Sequence, residues 1–586
     1  MFQQSPAPVG DSLALSALCA ALPLVLLFIL LGGLRLKAWI AGLIALATAL
    51  LVAIVLFKMP VGQALLSATE GAAFGFFPIL WIVINAIWVY NLTVASGHFD
   101  VLRRSFEKVS PDQRIQAMII AFCFGGLLEA LAGFGTPVAI SVVMLLALGF
   151  TPMKAAIVAL VANTAPVAFG ALATPIVTLA EVTSGVNDNP GLTVDNLGAM
   201  VGRQTPLLAL FVPLILVYLV DGTRGLRQTW LPSLVCGFTF AVAQFVAANY
   251  ISVPLTDIVA SLAGAASVVL LLRVWQPAEL MTAEPSKTGG AGSAAGAGDE
   301  APRGAVVGAG RDEEQTAGSG SGGTQVTGQG HGDGRHHDTG GDVARAYAPY
   351  LVIIAIFSLA SLGFVKDFFA KEPFTYKFPW PGLEILSASG NPVASTTFTL
   401  NWLPAAGTLM ILAGIITAVI LKLSPATALK TYVDTYVELK SAIITVMAVL
   451  ALAYVMNQSG QTVTLGVFLA QTGSAFVILS PILGWIGVAV TGSDTSANAL
   501  FGALQVQTAA QAGLDPVLLA SANTSGGVLG KMVSPQNLAI AAAAVGLAGR
   551  EGDIFRKVLG WSLGLLVLMC AIVALQSTPV LGWMIP

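Results

Sequence analysis

The run SLALSALCAALPLVLLFILLGGL fills residues 12–34 and contains no charged side chain. An α-helix rises 1.5 Å per residue, so about 20 such residues span the roughly 30 Å hydrocarbon layer of a bilayer. Runs of this kind recur outward from the first. Residues 38–57, 71–99, 155–180 and 229–256 repeat it, and 346–365, 385–421, 441–493 and 558–586 carry it to the end of the chain. Several are long enough for two helices, which suggests about 12 to 14 helical elements, not all of them full crossings. Only 10% of the 586 residues are charged and 56% are hydrophobic. A soluble domain is nearer a quarter charged. The pattern is that of an all-α polytopic membrane protein.

Composition also excludes functions. Net charge is −3 with no basic stripe, so nucleic acid is not an expected partner. Cys19, Cys123, Cys236 and Cys570 lie far apart in apolar segments and read as packing residues. The first apolar run lacks a basic flank and is as long as a span, so it reads as retained helix, not a cleaved signal. The nearest approach to a phosphate-binding loop is GGVLGKM at 526–532. Its spacing is one residue short, and Met532 stands where Ser or Thr is needed. An intramembrane enzyme would need a base, yet the histidines are His98 and three others at 331, 336 and 337. The chain is therefore not expected to be an enzyme, and no cofactor or metal is expected.

Between about residues 282 and 341 the chain turns rich in Gly, Ala and Ser with almost no large apolar side chain. Such a segment buries too little surface to offset its ordering entropy. It divides the sequence into a first transmembrane half (1–280), a disordered linker (281–345) and a second transmembrane half (346–586). The halves echo each other. Asn163-Thr164 and Thr174-Pro175 correspond to Asn523-Thr524 and Ser534-Pro535 at an offset of 360, and GFGTP at 133–137 to GSDTS at 492–496 at an offset of 359. Landmarks in the same order point to an internal duplication, whose relative orientation the residues leave open. Basic loops around 98–114, 221–228 and 422–440 are expected on the cytoplasmic side.

Polar, Gly and Pro residues inside a bilayer are tolerated where they line a cavity or pack against protein. Two regions concentrate them: GGLLEALAGFGTP with VANTAPVAFGALATP, and TGSDTSAN with SANTSGGVLGKMVSPQN. Broken helices expose N–H groups that favour an anion. Neighbouring hydroxyls and amides can bind a carboxylate and an α-hydroxyl together, although an amino acid would fit nearly as well. Thr136, Asn163, Thr164, Ser493, Thr495, Asn523 and Thr524 are the candidate substrate contacts. Lys531 is the candidate cation for the substrate carboxylate, unless it snorkels to the interface or pairs with Asp494. Arg203 is a second cation, better suited to anchoring at the interface. Glu129 and Asp494 are the candidate proton-coupling groups, with Glu129 favoured because a neighbouring Lys opposes protonation of Asp494. Glu70 reads as an interfacial charge. Coupling has an energetic motive, because a lone anion entering a negative-inside cell works against about 2.3 kcal/mol per 100 mV. A proton removes that penalty, and sodium would do the same.

These residues resemble those of the L-lactate permease family of bacteria, along essentially the whole chain. The resemblance is carried by KMPV (58–61), SPDQR (110–114), FCFGGLLEALAGFGTPVAI (122–140), NTAPVAFGA (163–171) and MVGRQ (200–204). It continues through LGWIGVAVTGSDTSANALFGALQ (483–505) and ANTSGGVLGKMVSPQNLAIA (522–541) to WMIP at the end. It implies a proton symporter of the cytoplasmic (cell) membrane that takes L-lactate and, in relatives, D-lactate or glycolate. The alternative is a glycolate-preferring or sodium-coupled small-carboxylate carrier. The implied partners are the small-molecule substrate, a proton and the lipid bilayer, with a homodimer allowed. The family is grouped with a wider superfamily of inverted repeats with re-entrant hairpins, which carry Asn-Thr motifs at their tips. Ala162 and Ala522 stand where that pattern has Ser, which argues against sodium coordination there. The linker is expected to have no role in transport.

Overall fold

The computed structural model of the chain describes residues 1–133, 135–186, 189–282, 338–388, 390–547 and 550–586. Most of the expected linker, with its three histidines, lies outside the described residues. The first half contributes α1 (Leu13–Gly33), α2 (Ala38–Leu56), α3 (Val61–Ala95), α4 (His98–Glu107), α5 (Gln113–Leu131) and α6 (Thr136–Ala147). It continues with α7 (Pro152–Ala162), α8 (Val167–Thr183), α9 (Val194–Ala209), α10 (Val212–Val246) and α11 (Thr256–Leu271). The second half contributes α12 (Gly340–Ala360), α13 (Ala406–Ile420), α14 (Pro425–Gln458), α15 (Gln461–Ala470) and α16 (Gly473–Thr491). It ends with α17 (Asp494–Ala512), α18 (Pro516–Gly530), α19 (Pro535–Ala544) and α20 (Glu551–Gln576). Among the described residues, ten helical segments are long and apolar enough to cross a bilayer, and α7 with α8 makes an eleventh, bent by 62°. The protein is a polytopic, predominantly helical membrane protein.

Helix starts follow local chemistry. Asp515 caps α18 by accepting from the Leu518 N–H, and Pro516 takes the first position, where a missing N–H costs nothing. Ser493 caps α17 and Ser534 caps α19 in the same way. Gly97 and Gly460 both adopt left-handed backbone, and each starts a ten-residue helix, α4 and α15.

The two halves interleave. α14 of the second half packs along α2 and α3 of the first, and α13 packs along the second part of α3. Small residues permit the approach: a β-carbon on Gly71 would stand 2.6 Å from the Leu450 carbonyl oxygen. The closest packing joins α16 and α18, where a β-carbon on Gly484 would meet the Asn523 carbonyl oxygen at 1.9 Å and one on Gly526 the Pro481 oxygen at 2.1 Å. With lipid as apolar as leucine, backbone proximity of this kind is what holds membrane helices together.

Two expectations change. The apolar run 385–421 is helical only in α13. Ahead of it, strand β1 (Tyr376–Pro379) pairs antiparallel with β3 (Thr397–Leu400), and β2 (Ile385–Leu386) pairs with the extended Phe2–Gln3. The β-branched Thr396-Thr397 and Thr399, with the turn-forming Gly390-Asn391-Pro392, favour a hairpin despite the lack of charge. Glu70 is not interfacial but fully buried within α3, where Gln458 Nε2 donates to its Oε2 at 2.7 Å. Arg114 is also fully buried, forked onto Asp112 at 2.7 Å and reaching Asp221 and the Glu279 carbonyl.

Two predictions follow from this packing. Gly526→Val should lower the thermal midpoint in detergent, because overpacking costs about 1–3 kcal/mol or more; an unchanged midpoint would contradict the α16–α18 contact. Asp338 binds Arg104 at 2.7 Å and Lys108 at 3.4 Å, and Thr339 caps α12. Deleting residues 285–336 should therefore leave yield and thermal midpoint unchanged, whereas extending the deletion through 340 should lower one or both.

Candidate functional site

Two broken helices build the site. α7 ends at Ala162, and the chain turns through Asn163–Pro166 before α8. Ala171, Leu172 and Ala173 then take left-handed backbone, with φ of 43°, 56° and 60°. Such a conformation costs about 1–2 kcal/mol per non-glycine residue, so packing must impose it. Gly170 just before it lies against Glu129: a β-carbon there would stand 2.8 Å from Glu129 Oε1. In the second half α18 ends at Gly530, and Lys531–Val533 forms one tight turn before Ser534 caps α19. That turn frees the Lys531 side chain to point away from its own helix.

The two breaks meet. Lys531 Nζ donates to Glu129 Oε1 at 2.6 Å, with 8% and 3% of the two side chains exposed. Asn163 Nδ2 donates to the other carboxylate oxygen, Oε2, at 2.9 Å. Beside this pair lies a cavity of about 50 Å³, several times the roughly 10–15 Å³ that one water requires. Glu129, Thr174, Ser493, Asp494, Thr495, Lys531 and Gln536 line it, with backbone from Gly133, Gly170 and Ala171. Asp494 is the conspicuous member, since both of its carboxylate oxygens are buried without a hydrogen-bond partner among the described residues.

Of the residues singled out in the sequence, Glu129, Ser493, Asp494, Thr495 and Lys531 line this cavity, and Asn163 stands one hydrogen bond behind it. Lys531 pairs with Glu129, not with Asp494. Thr164 donates to the Val161 carbonyl of its own helix, and the half-buried Thr136 is not among the lining residues. Asn523 and Thr524 lie outside the lining, each donating to Asn498 Oδ1, at 2.9 and 3.0 Å. Asn523 Oδ1 accepts from Gln505 Nε2 at 3.0 Å, and Asn498 Nδ2 ties the cluster to the Pro175 carbonyl of the first half. Arg203 binds Asn249 and the Met584 carbonyl, away from the cavity. Sequence reasoning counted Asn498 and Gln536 among the polar residues of the second region without assigning them a substrate contact, and it did not single out Gln505. Asn498 closes the TGSDTSAN motif, Gln536 lies within MVSPQN, and Gln505 stands two turns beyond Asn498 on the same helix, which was the available signal.

The fold and the site define a polytopic membrane protein whose interrupted helices close on a small, charged, buried cavity. The L-lactate permease family model matches residues 16–580, and the chain belongs to that family. It is 40% identical to the L-lactate permease of Escherichia coli (strain K12), over all of both chains. To the L-lactate permease of Bacillus subtilis (strain 168) it is 38% identical, over 100% of this chain and 99% of that one. Glycolate permease GlcA of Escherichia coli (strain K12) is as similar, at 40% over 99% of this chain and 98% of that one. These relatives are named as permeases, not enzymes. Among solved structures, the YdaH transporter of Alcanivorax borkumensis aligns with 87% of this chain and 86% of its own at a TM-score of 0.40 and 14% identity, too distant to bear on the site.

Removing one partner of a buried ion pair strands the other, at a cost of about 3–5 kcal/mol. Lys531→Met should lower the thermal midpoint, and Glu129→Gln added to it should restore part of the loss. A single and a double variant that melt alike, both at the unsubstituted value, would show that the pair contributes nothing.

Proposed function

We propose that this chain takes up L-lactate, together with D-lactate and glycolate, by proton symport across the cell membrane. The observation that carries the reading is the buried Lys531–Glu129 pair at the edge of a cavity sized for a few heavy atoms. An incoming carboxylate competes with Glu129 for the ammonium group. Once Lys531 turns to the substrate, Glu129 is a buried carboxylate with no counter-charge, a state that costs several kcal/mol. Taking up a proton relieves it. Ammonium, substrate carboxylate and neutral carboxylic acid sum to the same charge as the empty pair, so substrate and proton bind together more readily than either alone. Ser493, Thr495 and Thr174 supply hydroxyls for the α-hydroxyl group, and Asp494 is a second carboxyl within the same cavity. We read the matching element order of the two halves as an internal duplication, with an inverted arrangement as the family resemblance implies. Glycolate enters the proposal because a relative of equal similarity is named for it.

The test is uptake of labelled L-lactate into proteoliposomes with an imposed pH or sodium gradient. A pH gradient should drive accumulation without net current. Accumulation driven by sodium alone would replace the proton reading. Glu129→Gln should abolish pH-driven accumulation while still permitting exchange of internal for external lactate; normal concentrative uptake by this variant would remove Glu129 from the coupling role. Competition by glycolate, D-lactate and pyruvate ranks the substrates.

A further inference from the structure

A buried carboxyl that the sequence did not draw attention to lies on another side of α5. Asp257, in the first turn of α11, is completely buried. Its Oδ1 accepts from Gln244 Nε2 at 3.2 Å, and its Oδ2 is buried without a partner among the described residues. Helix register fixes what it faces. A β-carbon on Gly126 of α5 would stand 2.6 Å from Ser261 Oγ, and one on Gly264 of α11 would stand 3.5 Å from Cys123 Sγ. The helices therefore run antiparallel, and one turn back from Ser261 puts Asp257 at the level of Glu129, one turn beyond Gly126. The fields of both Glu129 and Lys531 reach it. From α10, packed on the same helix, comes the uncharged Gln244, and the Cys123 thiol lies two turns away along α11.

Polar groups continue from Asp257 in two directions. Toward the site, Gln244 Nε2 also reaches the Ala165 carbonyl at 3.3 Å, within the break that presents Asn163 to Glu129. Asn163 Oδ1 is itself buried and has no partner among the described residues. Toward the surface, Gln244 Oε1 has a long 3.5 Å contact with the Thr205 hydroxyl on α9. Two residues earlier on α9 is the half-buried Arg203, bound to the half-buried Asn249 at 2.9 Å. Neither Gln244, Thr205 nor Arg203 is among the residues that line the cavity with Asp494 and Lys531.

We propose that Asp257 is a second protonatable group of the transport site, a relay that exchanges the coupled proton between Glu129 and the Arg203–Asn249 edge. One ammonium balances one carboxylate, so of the two carboxyls flanking this part of α5 one carries a proton. When substrate takes Lys531, the proton leaves Asp257 for Glu129, and the Asp257 carboxylate is reprotonated from water at the edge. Substrate and proton then reach the pair by separate paths. The proposal rests on Glu129 being the coupled proton's site, as argued above.

The experiment compares the full chain with Asp257→Asn and Asp257→Glu in proteoliposomes, using labelled L-lactate. Asparagine keeps the acceptor for Gln244 but cannot release a proton. Uptake driven by a pH gradient should fall by roughly tenfold or more, the scale of losing a proton-transfer group. Lactate–lactate exchange, which needs no net proton movement, should stay within about threefold of the unsubstituted protein, and Asp257→Glu should recover part of the driven uptake. Driven uptake at the unsubstituted level would overturn the relay. So would loss of exchange in parallel with driven uptake in correctly inserted Asp257→Asn, which would mark a structural role. If the unsubstituted chain shows no pH-driven uptake at all, the symport reading fails, and the relay fails with it. Driven uptake that is equal in the unsubstituted chain and in Asp257→Asn leaves symport standing and removes Asp257 alone.

Discussion

A lysine and a glutamate 402 positions apart in sequence meet at 2.6 Å where both are almost fully buried. Nothing else in the site has meaning without that contact. An ammonium or a carboxylate alone in so apolar a setting costs far more than any nearby hydrogen bond returns. The fold must therefore present both at once, which requires a break in α7–α8, a break in α18–α19, and two halves that interleave. A buried pair of this kind is weak evidence for stability, since a matched apolar pair often does as well. Under the proposed function the pair acts as a switch whose partner can be exchanged.

The surroundings of the two breaks differ. In the second half Asn523 and Thr524 are bonded to Asn498 and Gln505, and Asn498 donates in turn to the Pro175 carbonyl, while Gln505 Oε1 has no partner among the described residues. Close glycine contacts between α16 and α18 fix the same region. In the first half Asn163 leaves an acceptor empty and the three residues from Ala171 are held in left-handed backbone. The interlocked amides around Asn498 resist rearrangement, because every bond broken leaves a buried group unpaired. A strained segment with open acceptors has less to lose. The echo between Asn163-Thr164 and Asn523-Thr524 is thus one of sequence position more than of present bonding.

How much of this was legible in the chain depends on range. Uncharged runs of span length are a local property, and so are the Gly, Pro and Asn-Thr interruptions; both were readable. Lys531 drew attention because it is the one charge in a long uncharged stretch, yet its partner was not readable, since no local rule links positions 129 and 531. Glu70 looked interfacial because it precedes an apolar run, but α3 begins nine residues earlier at Val61, which carries Glu70 into the interior. Asp257 was hidden for a similar reason, sitting where one apolar run was taken to end. The hairpin before α13 was missed because an absence of charge was read as helix, when threonine and proline content argued for extended chain.

The carboxyl groups can be ranked by what each lacks. Glu129 has an ammonium and an amide on its two oxygens, so in the present geometry it is satisfied as an anion. Asp494 has no partner at either oxygen, and Asp257 has one amide donor and one empty oxygen. Lys531 can stand opposite only one anion at a time, and the arrival of a substrate carboxylate adds a further claimant. Charge balance in a low-dielectric interior then requires that the surplus be met by protons or by another cation. The cavity lining offers hydroxyl, amide and carboxylate oxygens around Asp494, whereas Asp257 is reached through an amide and is shut off from the cavity. If a cation other than the proton were to bind, Asp494 is where oxygen ligands gather; Asp257, with a single acceptor free and an amide beside it, is suited to a proton and to little else.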